Sequence, residues 1–322
     1  MKVTVTTRAD PAPRRRPTQV LKVVDLGASP YGSTFHKSLL ACPREHGLSY
    51  VAKIKPEILA DALTAGWLWH HCLELLYRTL QEHQRVSNAK FDSDEFLFGG
   101  WKAGIAKAFH AIDAFSDEPG YDDIEGDVRR MLIQYDEMYA GRDRWVILAV
   151  EETIIYEGEI NYSTRLDLLI QDLDRDGAMF ICEHKSARMV TSELLDNYQL
   201  DLQILGQVWL LKKCVDLKRY PRFAGVRINI ATKHKTPQLV RVDVAPSDAH
   251  LKAFYDAQVQ WGQLRKAMQA MGWPRSLGHC AGYARGYSRC QYFDLCHGQP
   301  ATTVAQWAKG EAPYGFVREG QP

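Results

Sequence analysis

Glu183, His184 and Lys185 follow directly on the apolar run Phe180-Ile181-Cys182, with no turn residue between them. Successive residues of a strand face opposite ways, so Glu183 and Lys185 share one face and His184 takes the other. A carboxylate beside an ammonium where a buried strand ends is equipment for phosphodiester hydrolysis. Hard cations such as Mg2+ or Mn2+ are held by one or two carboxylates with substrate phosphate and water, and a nearby ammonium orients the attacking water or offsets charge developing in the transition state. A second carboxylate, Asp167 in LDLLI, comes to lie beside Glu183 if DRDG at 174–177 turns one strand back on the other. Taken alone, the Glu183/Lys185 pair also reads as an edge-strand salt bridge, a contact worth little. The similar triplet Asp216-Leu217-Lys218 precedes Arg-Tyr-Pro and reads as a solvated turn.

These residues need elements to position them. Apolar positions recur at helical spacing from Ile58 to about Gln84, and further helices are predicted over 95–115 and 124–140. From Trp145 the pattern becomes that of strands: WVILAVEETIIYEG, INYSTRLDLLIQD and AMFICEHKSA. Thr191 or Ser192 is placed to cap one helix running to about Val215; FAGVRINIATK and QLVRVDVAP read as two more strands, and a helix covers Asp248 to about Met271. Helices, three strands, a helix, two strands and a helix describe an α/β protein. The residues from Trp273 onward show no clear period.

Asp167, a hairpin, Glu183-His184-Lys185 and an amphipathic helix containing Gln203, preceded by Gly66-Trp67-Leu68-Trp69-His70, together resemble the PD-(D/E)XK nuclease superfamily in its RecB-like branch. The resemblance covers about residues 35–300. It implies a restriction-endonuclease-like core, a mixed central sheet flanked by helices, with an N-terminal helical lobe and a C-terminal Cys-rich segment. It further implies that Asp167 and Glu183 bind catalytic Mg2+ or Mn2+ with the main-chain carbonyl of His184, that Lys185 assists the water, and that His70 adds a metal contact. Gln203 stands for the branch's helix glutamine, on the face turned to the active site. The branch usually carries Tyr four residues later; here the residue is Gln207, and Gln199, Gln203 and Gln207 form a polar stripe at four-residue spacing.

Of seven cysteines, Cys280, Cys290 and Cys296 cluster near the end of the chain, and a fourth, Cys42, lies near its beginning. Four thiolates suit tetrahedral zinc or an iron–sulfur cubane. Similarity to RecB-like nucleases of the AddB and CRISPR-adaptation exonuclease type implies a [4Fe-4S] cluster that staples the two ends. Structural Zn2+ is the alternative, with His279 or His297 able to replace one thiol. Cys72, Cys182 and Cys214 sit on apolar faces and read as small buried hydrophobes.

The whole chain of 322 residues is 46% hydrophobic, with 40 basic and 39 acidic residues. A net charge of +1 creates no global field toward nucleic acid, so such binding must use local patches. Two are visible: a basic arm with Arg8, Arg14, Arg15 and Arg16, and the interleaved Tyr283, Arg285, Tyr287 and Arg289. The expected organisation is an arm over 1–20, one nuclease domain over 21–300 (helical part about 35–140, catalytic core about 145–270, Cys-rich segment 273–300) and a tail over 301–322. No run is apolar enough to span a bilayer and no secretory signal opens the chain, so a cytoplasmic setting in a bacterial or phage-infected cell is expected. No GxxxxGK[ST] loop occurs, so any helicase motor is a separate partner, as a recombinase or single-strand-binding protein would be. The function implied is a metal-dependent DNA exonuclease of recombination, repair or DNA processing. The alternatives are a structure-specific or single-strand endonuclease and a non-catalytic DNA-binding or assembly subunit.

Overall fold

The computed structural model describes residues 2–3, 31–56, 61–116, 122–214, 222–280 and 290–318. Along the chain run β1 (Lys2–Val3), α1 (Ser33–Ala41), α2 (Pro43–His46), β2 (Ile54–Pro56), α3 (Asp61–Val86), α4 (Asp94–Phe98), α5 (Trp101–Ser116) and α6 (Asp122–Tyr139). Next come β3 (Trp145–Glu157), β4 (Asn161–Asp172), β5 (Ala178–Ala187), α7 (Ser192–Asn197), α8 (Leu202–Cys214), β6 (Phe223–Thr232) and β7 (Leu239–Val244). The chain continues with α9 (Asp248–Ala270), α10 (Leu277–Cys280), α11 (Phe293–Gly298), α12 (Val304–Lys309) and β8 (Phe316–Arg318). No described helix is long and apolar enough to cross a membrane.

Two compact units result, one holding the main sheet with α3 to α8, the other α1, α2, β2, α10 to α12, β8 and most of α9. In the first unit the sheet order is β1-β3-β4-β5-β6-β7. β5 pairs antiparallel with β4 and parallel with β6, and β7 returns antiparallel on β6. The sheet is therefore mixed and flanked by helices, a restriction-endonuclease-like α/β core. A parallel pair needs a crossover, and α7 and α8 supply it between β5 and β6. β5 is buried at every residue from Ala178 to His184 and begins to emerge only at Lys185. That is the behaviour of a central strand covered on both faces, and it explains the unbroken apolar run. α3 lays Leu68, Trp69, Cys72, Leu73 and Leu76 into the core that includes Phe180 and Cys182 of β5.

Two predicted helices are each broken. The one over 95–115 divides into α4 and α5 at Gly99-Gly100, where the backbone packs close on α3: a Cβ on Gly100 would lie 2.9 Å from that of His83 and 3.0 Å from the Thr79 carbonyl. The one from Thr191 to Val215 divides at Asp201, whose backbone is extended. Thr191 caps α7 by accepting from the Leu194 N–H. Asp201 Oδ1 accepts from the N–H groups of Gln203 (2.7 Å) and Ile204 (3.3 Å), so it restarts the helix as an N-cap. Gln199 consequently falls in a 3-10 turn, and the glutamine stripe shrinks to Gln203 and Gln207.

Between those two glutamines, Gly206 faces Tyr162, which is 1% exposed, and a Cβ at this position would overlap the phenol. Gly206→Ala is expected to destabilise the protein by about 1–3 kcal/mol, the cost of overpacking a closed site. Chemical denaturation checks this, and an unchanged midpoint would show that the phenol moves aside.

The second unit joins distant parts of the chain. Leu39, Leu48 and Ile54 pack with Trp273, Tyr292 and Leu295, and Tyr292 donates to the Ile54 carbonyl at 2.6 Å. The segment expected to be a tail also folds here: Thr303 and Gln306 form a capping box for α12, Val304 and Trp307 enter the core, and β8 pairs antiparallel with β2. Apart from Lys2 and Val3 the basic arm lies outside the described residues, as do Tyr283, Arg285, Tyr287 and Arg289.

Candidate active site

β4 and β5 meet at the site. Their antiparallel register brings Leu168 opposite Cys182, one step from Asp167 and Glu183. Asp167 Oδ2 accepts from the His184 main-chain N–H at 2.7 Å, which fixes the carboxylate against β5. The His184 ring turns to the other face, as strand alternation requires, and stacks on Tyr77 with centroids 5.7 Å apart. Burial lowers its pKa to about 3 and keeps it neutral.

Glu183 is 1% exposed, yet both its oxygens are satisfied. Lys185 Nζ lies 2.5 Å from Oε1, the Gln203 amide donates to the same oxygen, and the Gln207 amide donates to Oε2 at 2.6 Å. The Gln203 carbonyl oxygen accepts in turn from Lys185 at 3.0 Å. Gln207 is thus bonded to Glu183 as Gln203 is, and the two amides fix the plane of the Glu183 carboxylate. Burial and the charge of Asp167 push the Glu183 carboxyl upward. Burial opposes the charge on Lys185, but Glu183 and Asp167 outweigh it, so the amine is held as an ammonium.

His70 reaches the site from α3, with Nδ1 3.4 Å from Asp167 Oδ2. The next residue, His71, instead lies 3.5 Å from Glu74 on the same helix. A residue not anticipated from the sequence completes the group. One ligand atom each from His70, Glu151 and Asp167 lie within 4.8 Å of one another. Glu151 comes from β3, the neighbour of β4, and adopts a left-handed backbone with φ 50°, a conformation costing a β-region residue about 1–2 kcal/mol. Arg165, two residues before Asp167, holds it at 2.6 Å. Its signal was the acidic pair Glu151-Glu152 interrupting an apolar strand, the same kind of break that marks Glu183. Carboxylates with one imidazole make a donor set suited to Mg2+ or Mn2+.

Burial alone would lower the His70 pKa, but the Asp167 carboxylate outweighs it and raises it to about 9. At pH 7 the metal-free imidazole therefore carries a proton that an incoming cation must displace. Apparent Mn2+ affinity is expected to rise with pH up to about 9, at roughly ten-fold per unit for one proton released. Calorimetric titration at pH 7 and 8 reads this, and equal affinities would remove His70 from the ligand set.

In the second unit Cys42, Cys280 and Cys296 are neighbours, and burial together with the other two thiols raises the pKa of Cys280. Cys290 shares an apolar core with Cys296, and its Sγ lies within 4.8 Å of Glu45 and His279 ligand atoms rather than being grouped with the other thiols. His279 is bound to Glu45 at 2.6 Å, whereas His297 is exposed and stacks on Phe293. Cys72 and Cys182 are buried in the main core, as expected of small hydrophobes; Cys214 is half-buried.

Among solved structures the chain is similar to SSO0001, at 12% identity over 58% of this chain and 84% of that one with a TM-score of 0.28. It is also similar to a chain of Eubacterium rectale named as a candidate exonuclease, at 10% identity over 74% and 81% with a TM-score of 0.36. No curated protein matches it. The family model of the PD-(D/E)XK nuclease superfamily matches residues 33–297, a span that takes in His70, Asp167, Glu183 and Lys185, and the chain belongs to that superfamily.

Proposed function

We propose that the protein is a metal-dependent DNA exonuclease of the RecB-like branch, acting in recombination, repair or DNA processing in the cytoplasm beside a separate motor or strand-binding protein. The observation that carries the nuclease reading is the convergence of Asp167, Glu183, Lys185 and His70 at the meeting of β4, β5 and α3. Asp167, Glu183, His70 and the His184 main-chain carbonyl would hold Mg2+ or Mn2+, with Glu151 as a further donor. Such an ion, when bound, activates water and stabilises charge on the phosphoryl oxygens.

The protein's own residues do the positioning. Gln203 and Gln207 keep both Glu183 oxygens in place, so the carboxylate needs no reorganisation during the reaction. Lys185, kept charged by Glu183 and Asp167, orients the attacking water and offsets negative charge growing on the scissile phosphate. A complete set of such groups supports an enzyme rather than a binding subunit.

Degradation of end-labelled linear DNA, with covalently closed circles as the comparison, tests the exonuclease reading. Loss of linear DNA alone, in Mn2+ or Mg2+ and not in EDTA, is the expected result; cutting of circles would make the protein an endonuclease.

Cys42, Cys280, Cys290 and Cys296 are proposed to hold a [4Fe-4S] cluster joining the two ends of the second unit. Support comes from the adjacency of Cys42, Cys280 and Cys296 and from Cys290 sharing an apolar core with Cys296. Brown protein with visible absorption that bleaches on reduction is expected; colourless protein carrying zinc would replace the cluster by Zn2+.

A further inference from the structure

Trp67 is the one tryptophan left largely exposed among the described residues, at 59%. It stands on α3 one turn before His70 and stacks on His71, with ring centroids 5.4 Å apart and planes within 13°. Residues three and four apart are neighbours on a helix surface, so the indole borders both the metal-facing histidine and its own stacking partner. Phe115 of α5 is tilted against it at 6.3 Å. The indole is thereby held in one orientation while most of it still meets solvent.

Gly66, next to it, is equally unexplained by the fold. A Cβ there would meet only Ser186 Oγ, at an ordinary 3.8 Å, although glycine inside a helix costs about 0.5–1 kcal/mol relative to alanine. The contact also shows that this turn of α3 lies against the residue following Lys185. A flat exposed ring and a bare stretch of backbone therefore adjoin the catalytic strand.

We propose that Trp67, supported by His71, is a stacking platform for an unpaired nucleobase, with the sugar-phosphate of that nucleotide passing Gly66 toward Asp167 and Lys185. This rests on the nuclease reading and narrows its substrate to single-stranded DNA, because a base within a duplex already has both faces covered. Every base has a π-face, so the platform binds without sequence preference.

The test is binding of fluorescein-labelled oligothymidylate and of a blunt hairpin duplex to the full-length protein in EDTA, where no cleavage intervenes. Trp67→Ala is expected to weaken single-strand binding about ten-fold, with Trp67→Leu equally weak and Trp67→Phe retaining most of the affinity. Duplex binding should not change, and an abasic oligonucleotide should bind the native protein as poorly as oligothymidylate binds Trp67→Ala. Native-like binding of the single strand by Trp67→Ala or by Trp67→Leu overturns the platform and leaves the nuclease reading standing. A native protein that binds neither DNA overturns that reading and the platform with it.

Discussion

Asp167→Asn is expected to reduce DNA cleavage on the order of a thousand-fold at saturating Mn2+. Asp167 does two things through one oxygen: Oδ2 accepts from the His184 N–H at 2.7 Å and faces His70 Nδ1 at 3.4 Å. An amide oxygen still accepts the main-chain hydrogen bond, so the junction of β4 and β5 survives. The charge does not survive, and with it go a hard donor for the cation and the field that holds the His70 proton. The same charge pushes up Glu183 and Glu151, so its removal relieves repulsion while it loses the pair with His70. These opposing changes leave the fold in place, which far-UV circular dichroism should show. Less than a ten-fold loss in single-turnover cleavage would mean that the cation is held elsewhere.

Cys42→Ser is expected to have the largest effect on stability. Cys42 and Cys280 are brought together across a loop of about 240 residues, and in the chain-entropy treatment of cross-links, closing a loop of that span is worth about 5 kcal/mol. A serine oxygen is a poor ligand for a soft iron–sulfur or zinc centre, so the substitution is expected to remove the proposed staple along with the thiol. Loss of visible absorption and of bound metal should accompany a separate, lower melting transition of the second unit. The first unit has its own core around α3 and the main sheet, and its transition should be much less affected. Full metal content and an unchanged melt in Cys42→Ser would take Cys42 out of the ligand set.

How legible all this was in the sequence depended on range. β5 was readable residue for residue because its signal, an apolar run broken by charge, is local. Asp167 could be placed beside Glu183 because DRDG fixes a hairpin between neighbouring strands, and Asp176 does take a left-handed turn there. Glu151 was hidden although its own strand was recognised. Its role depends on β3 lying next to β4 and on a positive φ that no composition rule assigns to glutamate. Gln207 looked like a departure from the family pattern, yet its amide reaches Glu183 from the helix turn after Gln203. The helix from Thr191 was read as continuous because its apolar period carries through Asp201, while the break depends on that side chain capping the first turn of α8. β8 pairs with β2 from the opposite end of the chain, and three-residue strands give no periodic signal.

Whether β5 carries the chemistry is decided by single-turnover degradation of end-labelled linear single-stranded DNA by native protein and by Lys185→Ala, in Mn2+ and in EDTA. Lys185 touches only Glu183 and Gln203 among the hydrogen bonds described, so its truncation removes the ammonium without dismantling the carboxylates. Metal-dependent degradation by the native protein is predicted, with a rate about 10²–10⁴-fold lower in the variant. Equal rates in the two proteins would contradict a catalytic centre at this site, because the chemistry would then lie away from the strand that carries Glu183 and Lys185.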